Sequence, residues 1–125
     1  MARLQLRGKQ VTAVPMMSAP ARAWVGAFID ADGCVGKYKG SGGSRVPRTL
    51  ISAAGTDVEH ISTLLRLTRA GRISMNNSPR QFSSGHKPMW QWQVGAQVDV
   101  EAILEQCAPY STKMQSVWPD YKEGL

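Results

Sequence analysis

The stretch Trp24-Val25-Gly26-Ala27-Phe28-Ile29-Asp30-Ala31-Asp32-Gly33 constrains this chain more than any other. It is an apolar run of helical character, rich in small residues, that ends in two carboxylates and a glycine. Pro20 suits the first turn of a helix, Ser18 or Ala19 would cap it, and Gly33 would let the chain reverse out at its C-terminal end. The Asp pair is out of place on electrostatic grounds. Negative charge at a helix C-terminus opposes the macrodipole by about 0.3–1 kcal/mol per group, so carboxylates there imply a compensating cation or a chemical task. A bound metal ion is the direct compensation. A calcium loop beginning at Asp30 is excluded, because its third ligand position is Cys34, its required Gly is Val35 and its closing Glu is Ser41.

The remaining pattern supplies the elements around that helix. Residues 34–39 and 45–54 read as strands across the turn Gly40-Ser41-Gly42-Gly43-Ser44. Thr56-Asp57-Val58-Glu59 fits a capping box, and Val58, Ile61, Leu64, Leu65 and Thr68 share one helical face before Gly71 stops the run. Residues 71–76 and 88–95 form a second strand pair across a polar loop, and Val100, Ile103, Leu104 and Cys107 mark another helix that Pro109 ends. Residues 111–117 allow a short final helix before Pro119. The order predicts an α+β fold (αββαββα), a four-stranded antiparallel sheet with helices on one face. Pleat alternation puts Trp90, Trp92 and Val94 against the helices and leaves Gln91 and Gln93 on the opposite face. It likewise leaves Arg72, Ser74 and Asn76 opposite Ile73 and Met75, and Arg48 and Ser52 opposite Thr49, Ile51 and Ala53. Trp90 and Trp92 read as core, with stacking platforms for single strands as the alternative.

A chain of 125 residues makes one domain with room for a real core. Fifteen Lys and Arg against nine Asp and Glu give +6, and the distribution says more than the total. Residues 22–87 hold ten of the basic residues, among them Lys37, Lys39, Arg45, Arg80 and Lys87, and only four acids. Positive charge therefore gathers where strands are expected, as on a polyanion-binding face; the competing reading is a generic solvated surface. Cys34 and Cys107 share no ligand-like spacing and are too few for a disulfide framework, so both are expected as reduced core thiols. No apolar run approaches the ~20 residues that span a bilayer, and the N-terminus lacks a continuous apolar signal core, so the expectation is a cytoplasmic protein with no membrane partner. Residues 1–18 are expected as a flexible basic arm, either tracking a phosphate backbone or serving as a plain tail. Residues 19–118 form the domain and 119–125 a C-terminal tail.

Residues 25–33 resemble the motif that names the LAGLIDADG homing endonucleases, and Ile29-Asp30-Ala31-Asp32-Gly33 matches it letter for letter. The element order agrees as well, so the resemblance covers Ala19 to Val117. It implies a saddle-shaped four-stranded sheet on DNA and, with one motif per chain, a homodimer whose motif helices pack at the two-fold axis through Gly26 and Ala27. It implies Mg²⁺ held by the Asp32 carboxylate and the Ala31 backbone carbonyl, with Asp30 in support, capping and orienting the end of the motif helix. It also implies a basic residue near the cut phosphates, for which Lys113 in Pro109-Tyr110-Ser111-Thr112-Lys113 is the candidate, the alternative being a surface lysine. Where such enzymes carry a polar residue, often Gln, at the end of the second strand to hold a water, this chain has Gly55.

Under the resemblance the polar sheet face becomes a reader of double-stranded DNA through Arg48, Ser52, Arg72, Ser74, Asn76, Gln91 and Gln93, with Lys37, Lys39, Arg45, Arg80 and Lys87 as basic contacts. The first strand stays open: the family parity turns Cys34, Gly36 and Tyr38 to DNA, whereas charge favours Lys37 and Lys39. The function implied is a site-specific endonuclease making a staggered double-strand cut in a long, nearly palindromic site by metal-assisted hydrolysis, with no small-molecule substrate. Its setting would be the host cell of a mobile element or phage, or an organelle. One alternative is a LAGLIDADG-type DNA- or RNA-binding protein, a maturase or regulator, that does not cut. Another is a small basic RNA-associated domain for which the Asp pair is incidental.

Overall fold

The computed structural model describes residues 11–39, 47–75, 85 and 87–123. Its elements run α1 (Ala19–Asp32), β1 (Gly33–Lys39), β2 (Pro47–Gly55), α2 (Val58–Thr68), β3 (Arg72–Met75), β4 (Trp90–Val94), α3 (Gln97–Cys107), a 3₁₀ turn (Ala108–Tyr110) and α4 (Thr112–Glu123). This is the expected α+β order. The Ser18 hydroxyl accepts from the Ala21 N–H and Pro20 sits in the first turn, so Ser18 is the cap of α1. Gly33 does not reverse the chain. Its φ of −117° is extended, and α1 passes directly into β1. What Gly33 supplies is room, since a Cβ there would lie 2.8 Å from the Ser52 carbonyl oxygen and 2.8 Å from Ile29 Cδ1. Asp57 caps α2 by accepting from the Glu59 N–H at 2.9 Å, and Arg69, with φ 53°, is the left-handed residue that ends it.

The strands form one antiparallel sheet in the order β1-β2-β4-β3. Thr49, Ile51, Ala53, Trp92 and Val94 are buried on the face beneath the helices. There they meet Val25 and Ile29 of α1, Ile61 and Leu64 of α2, Val100, Ile103 and Leu104 of α3, and Met114 of α4. Trp92 is fully buried, its indole N–H donates to the Ala70 carbonyl at 2.8 Å, and Trp90 packs half-buried beside the core, so both tryptophans belong to the core. Beyond the end of β4, the Gln97 amide accepts from the Thr49 N–H at 3.0 Å and donates to the Thr49 carbonyl at 2.8 Å. A side chain thereby continues the ladder along β2.

Three expectations about segments change. Residues 11–18 are docked rather than a flexible arm: Val14 and Met17 are buried, and the Gln106 amide both accepts from the Met17 N–H and donates to the Pro15 carbonyl. Thr12 adds a 2.6 Å bond to the Asp99 carboxylate. Residues 1–10 lie outside the described residues. At the other end α4 runs through Pro119 to Glu123, because Met114, Val117 and Trp118 pack the helix onto the core and offset the lost N–H. Among the cysteines, Cys107 is buried, and burial pushes its thiol up to about 12, but Cys34 is exposed rather than in the core. No helix of the described residues is long and apolar enough to cross a membrane.

Candidate active site and nucleic-acid interface

Successive residues of an α-helix are about 100° apart, so Asp30 and Asp32 project from nearly opposite sides of α1. Asp30 faces the start of α4. Its carboxylate accepts from the Lys113 N–H at 3.0 Å, the Ser111 hydroxyl at 2.8 Å and the Thr112 N–H at 3.1 Å. These bonds, the Lys113 N–H first, bring its pKa from the usual 3.8 down to about 2. The support Asp30 gives is therefore to the N-terminus of α4, where negative charge is favourable, and not to the end of its own helix as expected. The same contacts bring Lys113 to the motif, with its ammonium 2.7 Å from the Gly33 carbonyl oxygen.

Asp32 is exposed and lines a cavity of about 270 Å³ together with Phe28, Gly55, Asp57 and His60. Asp57 and His60 were not among the residues singled out from sequence. In the sequence Asp57 is an inner position of the Thr56–Glu59 capping box, whereas the structure makes Asp57 itself the cap; the spacing of three between it and His60 is the signal that would have flagged them. The two groups face each other, His60 Nδ1 lying 3.5 Å from Asp57 Oδ2. The imidazole also meets the rings of Trp24 and Phe28 edge-on, with centroids 6.4 and 5.9 Å away.

The small residues of α1 divide between two surfaces. Gly26, expected at the dimer axis, is buried against its own chain: a Cβ would stand 2.7 Å from Tyr110 Cβ and 3.0 Å from the Cys107 carbonyl oxygen. Ala27 and Ala31 are exposed, so they and not Gly26 are available to a second copy.

The sheet face away from the helices carries a polar row across all four strands. Cys34 pairs with Ser52, Ser52 with Gln93 and Gln93 with Arg72. The next row holds Ala54, Gln91 and Ser74. Partners opposite each other share a face, so the expected orientation of Ser52, Arg72, Ser74, Gln91 and Gln93 is met. Arg48 lies on this face opposite Tyr38 and donates to the Gly95 carbonyl at 3.1 Å. The parity of β1 is now fixed. Lys37 pairs with buried Thr49, which places it on the helix-side face, while Cys34, Gly36 and Tyr38 take the open one; Lys39 pairs with Pro47 at the end of the ladder. Register overrides charge, because a strand that buries Val35 beside Ile51 must turn its alternate positions outward. Lys87 is exposed ahead of β4. Arg45, Asn76 and Arg80 lie outside the described residues.

No protein-family model matches this sequence, and no curated protein does either. Solved structures do match. The homing endonuclease I-CvuI, crystallised with its target in the presence of calcium, superposes with a TM-score of 0.62 and 18% identity over 78% of this chain and 63% of its own. The LAGLIDADG meganuclease I-CpaMI, bound to uncleaved DNA, gives 0.60 and 11% over 79% of this chain and 36% of its own. The chain has the LAGLIDADG homing endonuclease fold. The archaeal intron-encoded homing endonuclease I-Vdi141I, complexed with DNA, gives 0.57 and 15% over 82% of this chain and 64% of its own. The chain thus spans under two thirds of the length of these relatives.

Within the LAGLIDADG fold, the motif occupies α1 and its exit into β1, and Asp32 stands where the helix meets the sheet. The donors there are hard oxygens: the Asp32 carboxylate, and the backbone carbonyls of the last helical turn, Ala31 among them, which have few partners within the helix. Among the described residues no group of three His, Cys, Asp or Glu could hold a metal ion. The Asp32 carboxylate with the Ala31 carbonyl suits Mg²⁺ in its donor chemistry, since that ion binds through one or two carboxylates and fills its shell with water and phosphate oxygens.

Proposed function

We propose that this chain is a DNA endonuclease that works as a homodimer and cuts both strands of a long, nearly palindromic duplex with a stagger. The observation that carries this reading is the separation of the two motif carboxylates. Asp30 is consumed by the α4 cap, whereas Asp32 stays exposed in a cavity at the end of α1. The relatives that share the fold are homing endonucleases described on DNA, and I-CvuI was crystallised with calcium and with magnesium.

In this reading the open sheet face lies in the major groove, with Gln91 and Gln93 facing base edges and Arg48 and Arg72 facing phosphates. Ala27 and Ala31 pack against their symmetry mates, so each copy brings one Asp32 to the centre of the site. Asp32 and the Ala31 carbonyl would hold the cation, and Asp32 sets negative charge opposite the scissile phosphate's counter-ion. Lys113, tied to the Gly33 carbonyl beside that position, adds positive charge near the phosphate. A divalent cation, when bound, neutralises the phosphate, lowers the pKa of an attacking water and stabilises the departing 3′ oxygen. The expected setting is the cytoplasm of a host cell, with a mobile genetic element as the source.

Incubating the protein with a pooled library of genomic duplex fragments, with Mg²⁺ or with EDTA, and sequencing the new ends tests this directly. Recurrent staggered ends that require Mg²⁺ and vanish in Asp32→Asn are expected. One observation favours a second reading, a LAGLIDADG-type binding protein that does not cut: Gly55 puts no side chain into the Asp32 cavity from the end of β2. Specific fragments retained without new ends, equally by Asp32→Asn, would establish it.

A further inference from the structure

We propose that His60, oriented by Asp57, holds the attacking water in the Asp32 cavity. The inference rests on the endonuclease reading and supplies the group that Gly55 omits. Three observations carry it. His60, Asp57, Gly55 and Asp32 line one cavity of about 270 Å³, so a water beside His60 shares its space with the carboxylate proposed to hold the cation. Asp57 is already committed, with Oδ1 accepting from the Glu59 N–H at 2.9 Å and Oδ2 facing His60 Nδ1 at 3.5 Å. That partner favours the tautomer with its proton on Nδ1, which leaves the Nε2 lone pair to accept from a water. Finally, a Cβ built on Gly55 would meet nothing within 4 Å. The end of β2 therefore leaves open the volume that a water-holding side chain would fill.

The ring is held and yet wet. Trp24 and Phe28 of α1, themselves stacked at 5.1 Å, meet it edge-on, and Asp57 Oδ2 stands 3.5 Å from its Nδ1. The His60 side chain remains 57% exposed and that of Asp57 54%, so solvent exchanges freely with the cavity. In the step assigned to this site, the water oxygen forms a bond to phosphorus as the bond from phosphorus to the 3′ oxygen breaks. The water proton aligned on Nε2 passes to solvent, and the 3′ oxygen takes a proton from solvent.

The test uses the duplex recovered from the library, with single-turnover cleavage in Mg²⁺ and affinity in EDTA measured on the same protein. His60→Ala is expected to slow cleavage about 100-fold while affinity and melting temperature hold. His60→Gln, which retains an acceptor, should stay within about tenfold of the parent rate. Adding Gly55→Gln to His60→Ala should restore at least about tenfold, because the cavity accepts a side chain from that position. Cleavage by His60→Ala at the parent rate overturns the assignment, as does a loss of rate matched by equal losses of affinity and stability, which would make His60 a packing residue under Trp24 and Phe28. Failure of the parent protein to cut any duplex removes the endonuclease reading and this inference together; cutting that ignores His60 removes only the inference.

Discussion

Gly26→Ala separates packing within one chain from packing between two. In the interior of a helix, Ala is favoured over Gly by about 1 kcal/mol, so propensity alone predicts a more stable protein. The surroundings predict the reverse. The added Cβ would lie 2.7 Å from Tyr110 Cβ, 3.0 Å from the Cys107 carbonyl oxygen and 3.0 Å from the Tyr110 carbonyl carbon. Two of those atoms are backbone at the two ends of the 3₁₀ turn, and no rotamer change moves them away. Overpacking of a dense core costs about 1–3 kcal/mol, and rigid neighbours put this site at the upper end. Net destabilisation of about 1–2 kcal/mol follows, which lowers the melting temperature by roughly 4–10 °C in a domain of this size. Urea unfolding at two protein concentrations is the assay, because a homodimer gains stability with concentration and a contact within the chain does not. The same loss at both concentrations, with self-association unchanged, is expected. A variant as stable as the parent, or one whose only defect is weaker self-association, would refute the argument and return Gly26 to the dimer axis.

Other consequences follow from the same geometry. Because its folded pKa is depressed to about 2 from 3.8, Asp30 contributes stability that is complete above the usual carboxylate range and is lost as pH falls through about 2. Acid unfolding of Asp30→Asn, followed by circular dichroism, should therefore start from a lower melting temperature near neutrality and lose less between pH 4 and pH 2 than the parent does. A maleimide should modify Cys34 and leave buried Cys107 untouched, and mass spectrometry should find Cys34 protected once a specific duplex is bound. Ala27→Arg should leave monomer stability unchanged, since its side chain is exposed on the single chain, while sedimentation should show loss of the proposed dimer.

Local rules carried the fold a long way here. The helix cap at Ser18, the alternation in Trp90–Val94 and the element order all lie within a few residues of the features that signal them, and the α2 cap falls on Asp57, one residue past the Thr56 of the capping box. What failed depended on distant partners. The orientation of β1 follows from its pairing with β2, and no property of Lys37 or Lys39 reveals that their neighbours across the ladder are Thr49 and Pro47. Cys34 was misplaced for the same reason, because its exposure follows from that parity. The docking of residues 11–18 depends on Gln106, some ninety positions away, whose amide serves two backbone groups at once.

The site shows the same division within a single motif. One helix, α1, presents Val25, Gly26 and Ile29 to its own core, Ala27 and Ala31 to the outside, Asp30 to α4 and Asp32 to the cavity beside α2. The two carboxylates answer the electrostatic objection to their presence in different ways. Asp30 is compensated by the N–H groups and the dipole of a second helix, whereas Asp32 is exposed to solvent at the cavity. Fixing α4 through Asp30 also sets Lys113 beside Gly33, so the structural carboxylate places the cation that the chemical one is proposed to work with. Loss of Asp30 should for that reason reduce cleavage beyond its effect on folding, and Asp32→Asn should reduce cleavage with no effect on folding at all.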